Sequence, residues 1–182
     1  MNLDGFALPV KKLKGTDPVE TLDLSGKNLG VASVVVIASL VSVNGSLTSL
    51  NLSSNQLCGL DIFKRGTYTA EGITAIADAL RVNGALTKLS LADNNLMEEG
   101  TKAICEALEK NKTLKELDIS GAKDESDISN IGGSAGAKHV AKMLGVNGVL
   151  TNLRLLRNEI GAAGERAVRD AVKDHSGFQL DL

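Results

Sequence analysis

A short apolar pattern recurs five times along this chain, and it restricts the possible folds more than any other feature. Val19-Glu-Thr-Leu22-Asp-Leu24, Leu47-Thr-Ser-Leu50-Asn-Leu52, Leu86-Thr-Lys-Leu89-Ser-Leu91, Leu114-Lys-Glu-Leu117-Asp-Ile119 and Leu150-Thr-Asn-Leu153-Arg-Leu155 carry aliphatic residues at the same three positions. The motifs start at 19, 47, 86, 114 and 150, so the intervals are 28, 39, 28 and 36 residues. The unit is therefore 28 residues, with 11 extra in the second unit and 8 in the fourth. Leu180-Asp-Leu182 repeats part of the motif and reads as a sixth, incomplete strand. A fixed period of this length is the sequence mark of stacked repeats.

Each unit has two halves of different periodicity. The L-x-L half alternates and predicts a short strand with one buried face. An asparagine follows it at Asn55, Asn94 and Asn158, whereas Lys27 and Ala122 stand there in the first and fourth units. A ladder of such asparagines, bonding the backbone of the turn, is expected to be interrupted at those two places. The second half opens at Gly72, Gly100, Gly136 and Gly164. Ile76, Ile104, Val140 and Val168 follow four residues later, then Leu80, Leu108, Leu144 and Val172. Steps of four keep these residues on one helical face. Asn44-Gly45, Asn83-Gly84 and Asn147-Gly148 read as helix ends with a left-handed glycine stop. One unit cannot bury its own apolar stripe, but stacked units share a core. Strands about 4.8 Å apart opposite helices about 8–10 Å apart make such a stack curve, strands inside.

The pattern L-x-x-L-x-L-x-x-N-x-L with a full helix per unit resembles the leucine-rich repeat proteins, in their ribonuclease-inhibitor-like subclass. The resemblance spans residues 19–182 and implies an α/β fold: a right-handed horseshoe solenoid with a parallel sheet on the concave face and helices on the convex face. Residues 1–18 are then an N-terminal capping segment, followed by five repeats and a terminal half-repeat strand in one domain. The implied function is non-catalytic binding of a protein partner through the concave strands and rim loops. A GTPase-activating regulator of the same repeat type is the alternative, and a piece of a larger receptor or sensor is a third.

Composition narrows the classes further. Twenty basic and 22 acidic residues give a net charge of −2, which disfavours nucleic acid as a partner. Three Phe, one Tyr and no Trp leave few rings for stacking on bases or sugars. Two cysteines cannot make a disulfide framework. The stretch 29–43 carries Ser33, Ser39 and Ser42 and is shorter than the ~20 residues a membrane span needs. No secretory leader pattern precedes the repeats, so a cytoplasmic protein with no membrane contact is expected. No metal spacing, nucleophile–base set or carboxylate pair stands out; an enzyme and a cofactor are not expected. His139 reads as wedged between helices, and Cys105 as a small buried hydrophobe. Gly132–Lys138 lacks the Gly-Lys-Ser/Thr ending of a phosphate loop.

The candidate surfaces are three. On the concave face the central row reads Asp23, Asn51, Ser90, Asp118, Arg154 and Asp181, flanked by small hydroxyl residues. Only the last full repeat differs, where Arg154, Leu156 and Arg157 make a candidate patch. The two insertions leave the same edge of the stack. The first brings Phe63, Lys64, Arg65 and Tyr68; the second brings Asp124, Glu125 and Asp127. They are expected to converge over the third repeat, with Phe63 and Tyr68 as partner anchors and the two basic residues facing the acidic ones. Finally, alignment with the helix carrying Lys102, Glu106 and Glu109 puts Val34, Ala38 and Val41 outward on the first helix. That apolar face would be covered by residues 1–13 or by a second copy; a monomer is expected, with a homodimer as the alternative.

Overall fold

The computed structural model describes residues 1–61, 63–122 and 129–182. Among these, a small hairpin of β1 (Asn2–Leu3) and β2 (Phe6–Ala7) leads into the short helix α1 (Val10–Lys14). The repeats follow as β3 (Thr21–Asp23), α2 (Val31–Val41), β4 (Ser49–Asn51), α3 (Glu71–Val82), β5 (Lys88–Ser90), α4 (Met97–Leu108), β6 (Glu116–Asp118), α5 (Gly133–Leu144), β7 (Asn152–Arg154), α6 (Gly161–Val172) and β8 (Gln179–Asp181). β3 to β8 form one parallel sheet in chain order. Its register aligns Leu22, Leu50, Leu89, Leu117, Leu153 and Leu180 in a single row. The expected horseshoe of alternating strand and helix is the observed one, and Leu180 takes its place in the sixth strand.

The core lies between sheet and helices. The strand leucines meet Ile37, Ile76, Ile104, Val140 and Val168 from the helix layer, all buried. Fully burying one such side chain is worth about 1.5–3 kcal/mol, and each repeat supplies several. The first-turn glycines set how closely helices approach. A Cβ on Gly164 would lie 3.1 Å from the Ala137 Cβ of the preceding helix, and one on Gly100 would lie 3.4 Å from Ile73.

The turn leaving each strand is held by an asparagine side chain. Asn55 accepts from the Lys27 and Leu29 amides, each at 3.0 Å, and donates to the Leu24 and Leu52 carbonyls, each at 2.9 Å. Asn158 donates to Ile119 and Leu155 in the same way. The expected interruption at the fourth repeat is absent. Asn130 accepts from Asn94 and Leu96 and donates to Leu91 and Ile119. Ala122 precedes the insertion and Asn130 follows it, so the extra residues delay the asparagine rather than replace it. Lys27 remains the true departure, at the first repeat, where Asn55 serves its backbone. Asn94 donates to Leu52, but its buried Oδ1 has no hydrogen-bond partner among the described residues.

A second asparagine row holds the other edge. Asn44, Asn83, Asn111 and Asn147 are buried where each helix turns toward the next strand. Each accepts from backbone amides two and three residues on, Leu47, Leu86, Leu114 and Leu150 among them. Each donates back to the preceding unit: Asn44 to Lys12 and Leu13, Asn83 to Val41 and Asn44, Asn111 to Leu80, Asn147 to Leu108. The left-handed glycine stop expected here is corrected by this geometry. Gly45, Gly84 and Gly148 do not have positive φ, and Lys112 fills the same place in the third unit. The side-chain amide satisfies the orphan backbone groups that a glycine turn would otherwise have to satisfy.

The expected apolar outer face of α2 is also corrected. Val34, Ala38 and Val41 are 0%, 2% and 2% exposed. Ser33, not Gly, occupies the first-turn position matching Gly100, so the alignment that turned those residues outward was one residue out. The positions matching Lys102 and Glu106 are Val35 and Ser39, of which Ser39 is exposed. Val34 instead packs against Gly72 of α3. On the other flank of α2, Leu8 and Leu13 are buried in the common core. Asp4 accepts from the Gly30 amide at 2.8 Å and from the Ser33 hydroxyl. A carboxylate there suits the N-terminal end of α2, which has no acidic residue in its own first turn.

Asn130→Ala is expected to lower unfolding stability by about 1–3 kcal/mol or more, the cost of leaving buried backbone groups unpaired; Ala122→Ser, outside the ladder, is expected to change it little. Urea unfolding of both variants checks this. Deletion of residues 1–14 is expected to lower Tm and cause association, because Leu8 and Leu13 no longer cover α2. Calorimetry and light scattering on the truncated chain test it, and an unchanged monomer would refute it.

Candidate protein-interaction surface

The concave face forms a groove of about 1090 Å³ running from Thr21 to Asp181. Strand register places Asp23, Asn51, Ser90, Asp118, Arg154 and Asp181 along its centre. Much of this polar row serves the fold. Asp23, Asn51 and Asp118 each accept from the amide two residues on, at Ser25, Ser53 and Ser120. The Ser25 hydroxyl and amide together hold the Asp23 carboxyl below its usual range. Ser53 adds a hydroxyl bond to Asn51 at 2.7 Å, whereas the buried Ser120 hydroxyl has no partner among the described residues.

Charge in the groove is largely paired. Lys88 meets Glu116 at 2.9 Å. Arg154 lies between Asp118 at 3.4 Å and Asp181 at 3.2 Å, so the cation expected to mark a patch is neutralised from both sides. Leu156 is half-buried beside it, and Arg157 is exposed at a positive φ of 57°. The structure thus brings Arg154, Leu156 and Arg157 together at the C-terminal end of the groove.

The first insertion is a compact hairpin with Leu60 paired antiparallel to Gly66. Asp61 organises its tip. One carboxylate oxygen accepts from the Phe63 and Arg65 amides, each at 2.9 Å, and the other pairs with the Arg65 guanidinium at 2.8 Å. The backbone bond from Arg65 is the main reason the Asp61 carboxyl sits below its usual range. Arg65 lies over the Phe63 ring, 4.9 Å from its centroid, and Phe63 remains 69% exposed. Tyr68 is half-buried and donates from its hydroxyl to the Leu96 carbonyl at 2.8 Å. Lys64 donates to Asn95. The hairpin therefore leans on the third repeat, at Asn95 and Leu96. Asp124, Glu125 and Asp127 of the second insertion lie outside the described residues, as does Ile62. Arg65 has its carboxylate within its own loop, at Asp61.

Sequence reasoning missed Asp61, although an Asp four residues before an Arg in a Gly-closed loop is a recognisable signal. It also passed over Val43, Val82 and Val146, which are 70%, 70% and 62% exposed at equivalent positions on the opposite edge. His139 on α5 reaches Glu98 of α4 at 3.4 Å, between helices as expected. Cys58 and Cys105 are buried, and burial pushes both thiols up to about 12. No described helix is long and apolar enough to cross a membrane.

A family profile described as Leucine Rich Repeat matches residues 46–64. The fold is a leucine-rich-repeat-like solenoid. Among solved structures, it is similar to the "Leiomodin-1 Actin-Binding Site 2 (ABS2)" structure, with a TM-score of 0.71 and 22% identity, covering 91% of this chain and 86% of that one. It is also similar to the tropomodulin C-terminal domain of Caenorhabditis elegans, with a TM-score of 0.64 and 10% identity, covering 90% and 89%. No curated protein matches the sequence.

The two thiols give a pH signature. Their protonated forms are favoured in the fold, so this stability is fully present below the ordinary thiol value of 9.0 and is lost as pH rises toward about 12. Native protein at pH just below 9.0 is expected to release no chromophore from a thiol-exchange reagent, and urea-unfolded protein to react at both cysteines. Prompt reaction of the native protein would contradict the burial described.

Proposed function

We propose that this chain is a non-catalytic protein-interaction module of the ribonuclease-inhibitor-like repeat type, binding a protein partner through its concave groove and the hairpin on its rim. In this reading residues 1–18 cap the stack and residues 19–182 form one binding domain. The observation that carries it is the hairpin. Phe63 is a large apolar side chain held in solvent on a tip that Asp61 fixes by accepting hydrogen bonds from two backbone amides and by an ion pair. Exposed aromatics on ordered loops lose little entropy on docking, and aromatic and Arg side chains dominate binding hot spots. Arg65 and Lys64 would flank the anchor, and Tyr68 would brace the hairpin against Leu96. Arg154, Leu156 and Arg157 would extend the surface to the far end of the groove.

The leiomodin-1 structure similar to this fold is that of an actin-binding site. Actin is therefore the first partner to assay, by co-sedimentation and by titration with labelled monomer. For whichever partner binds, Phe63→Ala is expected to weaken affinity by about 2 kcal/mol or roughly 30-fold, with Tm unchanged. Leu156→Glu with Arg157→Glu is expected to weaken it less. A partner whose affinity is indifferent to all three substitutions would refute the assignment of this surface.

A further inference from the structure

Three of the four asparagines in the helix-to-strand row are followed by glycine: Asn44-Gly45, Asn83-Gly84 and Asn147-Gly148. The fold does not require those glycines. None has a positive φ, and a Cβ built on any of them meets nothing within 4 Å. Asn111 makes the same bonds with Lys112 in the glycine's place. Asn-Gly, however, is the dipeptide whose chemistry is least protected, since no side chain shields the glycine nitrogen. That nitrogen can attack the asparagine Cγ. A C–N bond forms, ammonia leaves, and a cyclic imide results. Water then opens the imide at either carbonyl, giving aspartate or its isomer with an extra backbone carbon. The balance is amide plus water to acid plus ammonia.

We propose that Asn44, Asn83 and Asn147 are spontaneous deamidation sites that the folded stack holds inert and that local opening activates, Asn44 first. In the fold these side chains are only 2%, 4% and 3% exposed. Both ends of each amide are pinned: Oδ1 by the amides two and three residues on, Nδ2 by carbonyls of the preceding unit. Asn44 differs in what holds it. Its acceptors, the Lys12 and Leu13 carbonyls, belong to the N-terminal segment rather than to a repeat. Terminal elements open at lower free energy than the centre of a stack.

The change is self-locking. Conversion to a carboxylate replaces an N–H donor with an anion, which at residue 44 would face two carbonyl oxygens in a buried place. Burying an unpaired charge against acceptors is strongly unfavourable. A molecule that opens long enough to react cannot close its ladder again, so unfolding becomes irreversible with time rather than at once.

The full chain, held at mildly alkaline pH and body temperature with and without urea, tests this by peptide mass spectrometry. In urea the three Asn-Gly sites are expected to convert while Asn111 lags. In native protein only Asn44 is expected to convert measurably, at least about tenfold slower than in urea. Equal rates at Asn111, equal rates with and without urea, or native Asn147 leading Asn44 would each overturn the proposal. The triple variant G45K/G84K/G148K is expected to fold cooperatively and to keep its refolding yield after a hold in urea that abolishes the parent's. Failure to fold would refute the claim that glycine is dispensable, and equal loss of refolding would refute the role of these sites. N44D alone is expected to lose amide protection at Leu13 and Leu47 while Leu117 stays protected; unchanged protection there would overturn the self-locking step.

Discussion

A stacked repeat must turn its backbone twice per unit, once after the strand and once after the helix, and both turns press against the turns of the next unit. The peptide groups on their inner side are buried and have no regular sheet or helix partners. Leaving such groups unpaired costs about 1–3 kcal/mol each. In this chain the groups are paired by two rows of buried asparagines, each side chain donating to one stretch of backbone and, Asn94 excepted, accepting from another. An amide offers two N–H donors and a separate acceptor oxygen on one short, uncharged group, whereas ionised aspartate only accepts and serine has a single oxygen for both roles. The leucines supply the driving force for stacking. The asparagines decide the register in which the stack can form.

Once register is fixed, the rest follows. Leucines fall in one row, helix stripes face the sheet, and extra residues are forced to one edge. The first insertion shows how this makes a surface. It leaves the stack after Asn55 has closed the turn, so it folds on its own terms around Asp61 and returns to the Cys58 carbonyl through the Thr69 amide at 3.0 Å. The second insertion enters before Asn130 and leaves the ladder whole. The tip of the first insertion stands clear of the core, which is why it can present Phe63 to solvent without cost to the repeats beneath it.

The leucine motif made the strands, their order and the sixth strand legible, because the alternation recurs in register at a 28-residue unit, as in leucine-rich repeats. What could not be read depended on alignment across changed spacings. Asn130 was hidden because the strand before it, not the helix after it, served as the ruler. Val34 and Ala38 were turned outward because α2 has Ser33 where the other helices carry the glycine that marks register. Asn44 and Asn83 were read through the glycines beside them, although Lys112 in the same place already argues that the asparagine matters. At the candidate surface, sequence found Phe63, Arg65 and the Arg154–Arg157 cluster by their residue types. It did not find that Arg65 is claimed by Asp61, or Arg154 by Asp118 and Asp181, since ion pairs depend on side-chain reach rather than on period.

Native-state hydrogen exchange measures the central claim most directly. The amides accepted by the asparagine side chains, at Leu29, Leu47, Leu86, Leu114 and Leu150, lie in turns and would ordinarily exchange as loops do. If the asparagine rows hold the register, those in the middle of the stack, Leu86 and Leu114, are protected to the same free energy as the strand amides of Leu89 and Leu117 and are lost with them in one cooperative opening. Exchange of Leu86 and Leu114 at loop-like rates while Leu89 and Leu117 stay protected would show that the sheet and the leucines hold the stack alone.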